Sequence, residues 1–370
     1  MREQGTTLYI TGAGVSADSG IPTFRGHDGY WTIGSRNYTP QEMATRAMYL
    51  GDPAQFLLWY YRRFAAYRHV QPNAVHHWLA GQCNAGQCNA GQCNDASSGG
   101  PSGGSSGGSP RARLITQNID GLDGKAGNRD YISIHGRLNK MTLLHDQSLF
   151  DQRPSDQRPS DQRSSDQPPD HPDSDHDANH DADHDANHDY GVGLCDAPWD
   201  EVAASLSSQT SLSNQTSLSS QTSLSSQTSL SKQTSPTPAD PTDPDDPAET
   251  NEAALIAALL AACRIPPSGP QMGVSLKPYV LLFDEYYTDL YRMTEAERWM
   301  NSASRMVFMG TSFSVNITAI ALRTAVQRGI PVEIVDPEPI DLAASFGIPA
   351  GMADISYHAM TAEAWVQSQG

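Results

Sequence analysis

The sequence predicts an α/β fold in which a parallel sheet is covered on both faces by helices, and three observations carry the prediction. Short apolar runs at 7–10, 113–116, 305–309 and 332–336 have the near-continuous hydrophobicity of strands buried on both sides. Segments of helical composition alternate with them, the pattern of crossover connections between parallel strands. The runs end in polar or glycine residues, among them Gly12, Gln117, Gly310 and Asp336. Ligands of such sheets sit beyond the carboxyl ends of the strands.

Charge separates this framework from the rest of the 370 residues. Between Asp146 and Glu252 there are 22 Asp and Glu against 4 Lys and Arg, which accounts for the whole net charge of −18 and leaves 20 acids against 20 bases elsewhere. The acidity therefore belongs to one stretch and says nothing of what the folded part binds. With no basic excess, no nucleic-acid partner is expected. No membrane association is expected either, because no apolar run is long enough to span a bilayer and the start lacks a leader pattern, so the chain reads as cytoplasmic. Of five cysteines, Cys83, Cys88 and Cys93 are copies within one repeated pentapeptide, and Cys195 and Cys263 have no CxxC partner.

Taken in order, the strand at 7–10 leads into a glycine loop whose residues Ser16 to Ser19 open a helix. Helices are expected over 40–50, 53–68 and from Pro72, with proline in the first turn of the last. Residues 81–110 are a five-residue repeat followed by a Gly/Ser/Pro run, and 146–251 contain Asp-Gln-Arg-Pro-Ser copies, a His/Asp alternation and Ser-Leu-Ser-Ser-Gln-Thr copies. Neither stretch offers a face to bury, so both read as disordered inserts. The folded chain is then 1–80 with 111–145 and 252–370. Its last part holds a helix at 253–263, a buried strand at 279–283, helices at 287–302 and 317–328, and a terminal helix at 361–367.

Gly12-Ala13-Gly14-Val-Ser16-Ala-Asp-Ser-Gly-Ile-Pro-Thr-Phe24-Arg25 follows the first strand and has the form of a phosphate cradle, with glycines where backbone approaches a ligand and a helix opening beyond them. This run, Thr116-Gln117-Asn118-Ile-Asp120, His135-Gly136, Gly310-Thr311-Ser312 with Val315, and more loosely Leu276 to Glu285, together resemble the sirtuins, the NAD-dependent protein deacylases. The resemblance implies a Rossmann-like, sirtuin-type parallel sheet with NAD as cofactor and acylated lysine in proteins as partner. It also implies a role for each match. His135 is the general base, suited to it by the ordinary imidazole pKa of about 6.5. Asn118 and Asp120 hold the nicotinamide carboxamide, Gln117 reaches the ribose hydroxyls, Phe24 shields the reacting ribose face and Arg25 lies near the phosphates. Gly310, Thr311 and Ser312 contact phosphates and the adenine-side ribose. Asp336 either accepts from ribose hydroxyls or serves as a turn residue before Pro337. Leu281 to Glu285, including Phe283, offer a strand edge to the acyl-lysine peptide.

Two departures qualify the resemblance. Most sirtuins bind a structural zinc through two cysteine pairs, whereas here no first pair follows His135 and the second reads Cys263-Arg-Ile-Pro266. No metal is therefore expected, and the long insert is read as replacing the zinc module in a reduced or rebuilt small domain. A Tyr-x-x-Arg pair selects acidic acyl groups in some sirtuins; the local match is Trp59-Tyr-Tyr-Arg62, equally readable as a core tryptophan beside a surface arginine. The sequence thus points to a monomeric NAD-dependent protein-lysine deacylase. NAD glycohydrolysis, ADP-ribosyl transfer, or binding of NAD or ADP-ribose without turnover are the alternatives.

Overall fold

The structure is a computed structural model and describes residues 5–21, 31–33, 35–64, 67–85, 112–146, 193–206, 247–349 and 351–369. The strands of the chain are β1 (Thr7–Thr11), β2 (Trp31–Ile33), β3 (Arg36–Tyr38), β4 (Ala112–Thr116), β5 (Ile132–Ser133), β6 (Gly136–Leu143), β7 (Cys195–Asp196), β8 (Leu276–Val280), β9 (Arg305–Met309), β10 (Val332–Asp336) and β11 (Ile355–Ala359). Six of them form the main sheet in the order β11-β10-β9-β1-β4-β5, with every pairing parallel.

Register decides what this sheet presents. Thr11 lies opposite both Thr116 and Met309, and Met309 lies opposite Val335. Gly12, Gln117, Gly310 and Asp336 therefore leave the sheet in one row. Alternation along the strands feeds two cores: Leu8, Ile10, Ile115, Met306 and Phe308 face α8 (Met293–Ser302) and α9 (Asn316–Arg328), while Tyr9, Leu114, Val307 and Val335 face α4 (Ala74–Asn84) and α11 (Ala362–Ser368). Each such side chain, fully buried, contributes about 1.5–3 kcal/mol of transfer free energy.

A second body surrounds an antiparallel sheet of order β7-β6-β8. Its core joins α1 (Pro40–Met43), α2 (Arg46–Gly51), α3 (Pro53–Phe64), a helix α6 over residues 199–206, and α7 (Pro247–Ala262), through Tyr49, Phe56, Tyr60, Met141, Trp199, Leu259 and Cys263.

Several expectations are corrected. The strand expected at 279–283 is β8 at Leu276–Val280, and it belongs to the antiparallel sheet. Lys277 hides this strand from an apolar-run reading, because its ammonium is buried against Glu285 at 2.9 Å. The helix expected at 287–302 begins at Met293, since Arg292 takes a left-handed φ of 57°. Ser16 to Ser19 lie in a 3-10 helix, Ala13–Ser19, closed by Gly20 at φ 86°. The 40–50 segment is two short helices, each opened by a threonine, Thr39 or Thr45, whose hydroxyl accepts an amide hydrogen.

The insert boundaries also move. α4 continues through the first repeat copy to Asn84, with Cys83 buried. Residues 193–206 fall inside the stretch read as one acidic insert yet are built into the second body. β7 pairs with β6, and the buried Trp199 indole donates to the Leu138 carbonyl at 2.9 Å. Residues 86–110, 147–192 and 207–246 of these stretches lie outside the described residues.

Candidate functional site

The loops after β1 and β9 meet backbone to backbone. Gly12 N–H donates to Met309 O at 3.0 Å, Gly14 N–H donates to Gly310 O at 2.9 Å, and Val15 N–H donates to Gly12 O at 3.1 Å. A Cβ on Gly12 would lie 2.7 Å from Gly310 O, and one on Gly14 would lie 2.7 Å from Gly310 Cα. These glycines thus make the close approach of two loops, and the amides of Gly12, Gly14 and Val15 are spent inside the protein. The cradle reading changes accordingly: the motif builds the floor of the site, with Ala13 at the start of its 3-10 turn.

Around that floor the polar residues after β4 form one connected cluster. Asn118 donates through Nδ2 to Gly12 O at 3.0 Å and to Ser16 Oγ at 3.1 Å; Ser16 Oγ donates in turn to Asp120 Oδ2 at 2.7 Å. The other Asp120 oxygen accepts from Leu122 N–H at 2.9 Å. Gln117 Nε2 reaches Thr11 O and Thr311 Oγ1, both at 3.1 Å, and so ties β4 to the loop after β9. Behind Ser16 sits His76, fully buried, with Nε2 at 3.5 Å from Ser16 Oγ. Burial pushes its pKa down to about 4, against the opposing pull of the Asp120 carboxylate.

His135 follows β5 and is held at both ring nitrogens. Nδ1 lies 2.9 Å from the Gln117 carbonyl oxygen, which only accepts, so Nδ1 carries the proton and Nε2 presents a lone pair. Tyr287 Oη lies 2.9 Å from Nε2 and donates to it. Burial, opposed by the Gln117 carbonyl, pushes the His135 pKa down to about 4, so the imidazole is neutral at pH 7. A neutral imidazole with one fixed tautomer is the form a general base requires. The next residue, Gly136, has φ 82° and would put a Cβ 2.0 Å from Tyr279 O, so β8 closes on β6 directly beside the histidine.

The remaining predicted residues are placed as follows. Thr311 is buried at the Gln117 contact, while Ser312 is exposed and shares a 2.8 Å hydrogen bond with Ser314. Val315 is the N-cap of α9 and packs on the main core. Asp336 is buried and accepts from Glu338 N–H at 3.0 Å, an interaction of the turn kind. Trp59 is in the core of the second body and Arg62 pairs with Glu252 of α7 at 2.7 Å, the arrangement of a core tryptophan beside a surface arginine. Leu281 to Glu285 form no strand. The Leu281, Leu282 and Phe283 amides donate to His135 O, Glu285 Oε2 and Ala44 O respectively, and the Phe283 side chain is 61% exposed. Asp284 turns its carboxylate to the first amides of α2, Arg46 at 2.6 Å and Ala47 at 3.0 Å, which pins the 281–285 segment to the second body. Phe24 and Arg25 lie outside the described residues.

Sequence reasoning missed Tyr287 and His76. Tyr287 was hidden by its assignment to a helix; the capping-box spacing Asn73 to His76 was the available signal for the second, since that geometry is what the α4 start adopts. Among the described residues, no group of three or more His, Cys, Asp or Glu is placed to hold a metal ion.

A family model described as the Sir2 family matches residues 12–92 and 108–181. An NAD-dependent protein deacylase of Thermus thermophilus is 33% identical over 138 residues, 37% of this chain and 45% of the relative. NAD-dependent protein deacylase 1 of Archaeoglobus fulgidus is 35% identical over 131 residues, 35% of this chain and 42% of the relative. The chain thus spans less than half the length of these curated relatives. Among solved structures, a Sir2 homologue in an NAD complex aligns over 98% of this chain and 88% of its own, with a TM-score of 0.51 and 20% identity, a likeness of fold.

Proposed function

We propose that the chain is a member of the Sir2 family, whose model matches residues 12–92 and 108–181, and that it is an NAD-dependent protein-lysine deacylase in which NAD is consumed as co-substrate. The observation that carries the reading is the His135 geometry: a half-buried, neutral imidazole with its Nδ1 proton fixed on Gln117 O and its Nε2 lone pair directed at Tyr287 Oη. Such a base is what the activation of a ribose hydroxyl needs, and a binding protein without turnover does not need it.

The donor set fits the co-substrate. Asn118 Oδ1 and the Asp120 carboxylate, linked through Ser16, supply acceptors side by side for the N–H groups of a carboxamide, the Asn118 amide hydrogens being given to Gly12 O and Ser16 Oγ. Gln117, Thr311 and Ser312 supply hydroxyl and amide groups at the adjoining strand end, toward ribose and phosphate. Gly12, Ala13, Gly14 and Gly310 set the floor on which these rest. When bound, NAD supplies an activated glycosidic carbon that the acyl oxygen of the lysine amide can attack. Relatives carry the name NAD-dependent protein deacylase, and one solved Sir2 structure is described with a p53 peptide and NAD+, which supports a peptide partner. Phe283, exposed beside the Leu281 amide that binds His135 O, and Val315 at the start of α9 are assigned to that peptide. Asp336 is assigned to its turn. Part of the same proposal is a monomeric cytoplasmic enzyme without nucleic-acid or membrane partners; among the described residues no helix is long and apolar enough to cross a membrane. The domain limits follow as 1–84, 112–146, 193–206 and 247–370.

Mass spectrometry after incubation with NAD and an acetyl-lysine peptide tests the proposal. Nicotinamide, deacetylated peptide and O-acetyl-ADP-ribose in equal amounts support it. Free ADP-ribose with the peptide unchanged would instead indicate NAD glycohydrolysis.

A further inference from the structure

One hydroxyl stands between the proposed base and any substrate. In the neutral tautomer His135 has a single acceptor, Nε2, and Tyr287 Oη already donates to it at 2.9 Å. The two ring planes are 28° apart with centroids 5.9 Å apart. A substrate hydroxyl cannot donate to the same lone pair while Tyr287 stays where it is.

Tyr287 is built to stay. Its ring packs against the main core, and the Ile317 backbone amide in the first turn of α9 pulls its phenol pKa down against the effect of burial. Withdrawal would break the hydrogen bond to His135, at about 0.5–1.5 kcal/mol, and expose packed ring surface. The Arg292 φ of 57° starts α8 six residues beyond Tyr287, which leaves the tyrosine on the connecting segment facing His135. Burial pushes the phenol pKa up to about 12, so it keeps its proton at neutral pH and donates continuously.

We propose that Tyr287 is a catalytic proton relay: the substrate hydroxyl donates to Tyr287 Oη, and its proton reaches His135 Nε2 through the phenol. The step balances within these groups. The substrate O–H bond breaks as its proton bonds to Tyr287 Oη, the original phenol proton passes to Nε2, and the products are an imidazolium, a neutral phenol and a substrate oxygen carrying the electron pair for attack. The Ile317 amide, which pulls the phenol pKa down, favours the negative charge that builds on the oxygen during transfer. The reaction served is the one proposed above, so the relay rests on that reading.

Tyr287→Phe keeps the ring and removes the hydroxyl. The relay predicts that kcat for acyl transfer falls at least about 100-fold, as for the loss of an acid–base group, while calorimetric NAD affinity and the melting temperature stay close to the parent values. A Tyr287→Phe enzyme that deacylates as fast as the parent, or faster, shows that the phenol only blocks the base and overturns the relay. If the variant fails to fold, the intact enzyme decides. Single-turnover rates in mixtures of light and heavy water give a curved dependence when two protons move together and a straight line when one does, and the straight line overturns the relay. A parent that transfers no acyl group from peptide to NAD refutes the functional reading and the relay together. An active parent with an unimpaired variant refutes the relay alone.

Discussion

Replacing Gly136 by alanine tests how the second body holds the base. Gly136 has φ 82°, and a Cβ there would lie 2.0 Å from Tyr279 O and 3.1 Å from Val280 Cα. The left-handed backbone costs an alanine about 1–2 kcal/mol. The overlap falls on backbone of β8, which cannot rotate away as a side chain would, so the β6–β8 pairing must open at a further cost of about 1–3 kcal/mol. We expect a total loss of about 2–5 kcal/mol, read as a lower urea midpoint at constant slope. Because Leu281 N–H is bonded to His135 O at 2.9 Å, the displacement reaches the residue next in line, and activity should fall even in conditions where the variant remains folded. A Gly136→Ala protein within about 0.5 kcal/mol of the parent and fully active would refute the tight closure of β8 on the histidine.

Three other outcomes are expected. Trp199→Ala should destabilise the protein by about 3–5 kcal/mol, because it empties the core of the second body and leaves the Leu138 carbonyl without its indole donor; thermal unfolding checks this, and a neutral effect would mean that residues 193–206 do not belong to the fold. Asp284→Ala should cost about 1 kcal/mol through the uncapped amides of Arg46 and Ala47, measured by urea unfolding. Both His76 and His135 have folded pKa values pushed down to about 4, below the unfolded value near 6.5, so the unfolded chain binds more protons between those limits. Stability contributed by these residues is complete above about pH 6.5 and is lost as pH falls toward 4, and His76→Gln should flatten part of that slope in unfolding midpoints taken from pH 7 to pH 4.

The parts of the fold legible in the sequence are those whose physics is local. β1, β4, β9 and β10 are short runs buried on both faces, and α9 announces its end with Gly329 at φ 62°. The row Gly12, Gln117, Gly310 and Asp336 follows once those strands are parallel, because register then fixes what leaves the sheet. What escaped depends on partners far along the chain. β8 carries Lys277, whose burial makes sense only with Glu285 folded back beside it and Arg46 3.3 Å from the same carboxyl group. Residues 193–206 sit between repetitive acidic sequence, and their place is set by a cross-strand pairing and one indole, neither of which leaves a periodic trace. The glycines after β1 were legible as a motif but not as a loop-to-loop joint, since the partner Gly310 lies almost 300 residues away. Tyr287 depended on the φ of Arg292, a left-handed residue that no composition rule anticipates.

The central claim is that the strand-end row places NAD for attack by an acyl-lysine amide, with His135 as the base. Nicotinamide release measured with and without an acetyl-lysine peptide, in the parent and in His135→Ala, tests it most directly. The account predicts that the parent releases nicotinamide in step with peptide deacetylation, and that His135→Ala binds NAD but yields no deacetylated peptide. Rapid release by the parent in the absence of peptide, or deacetylation by His135→Ala at near the parent rate, would contradict it.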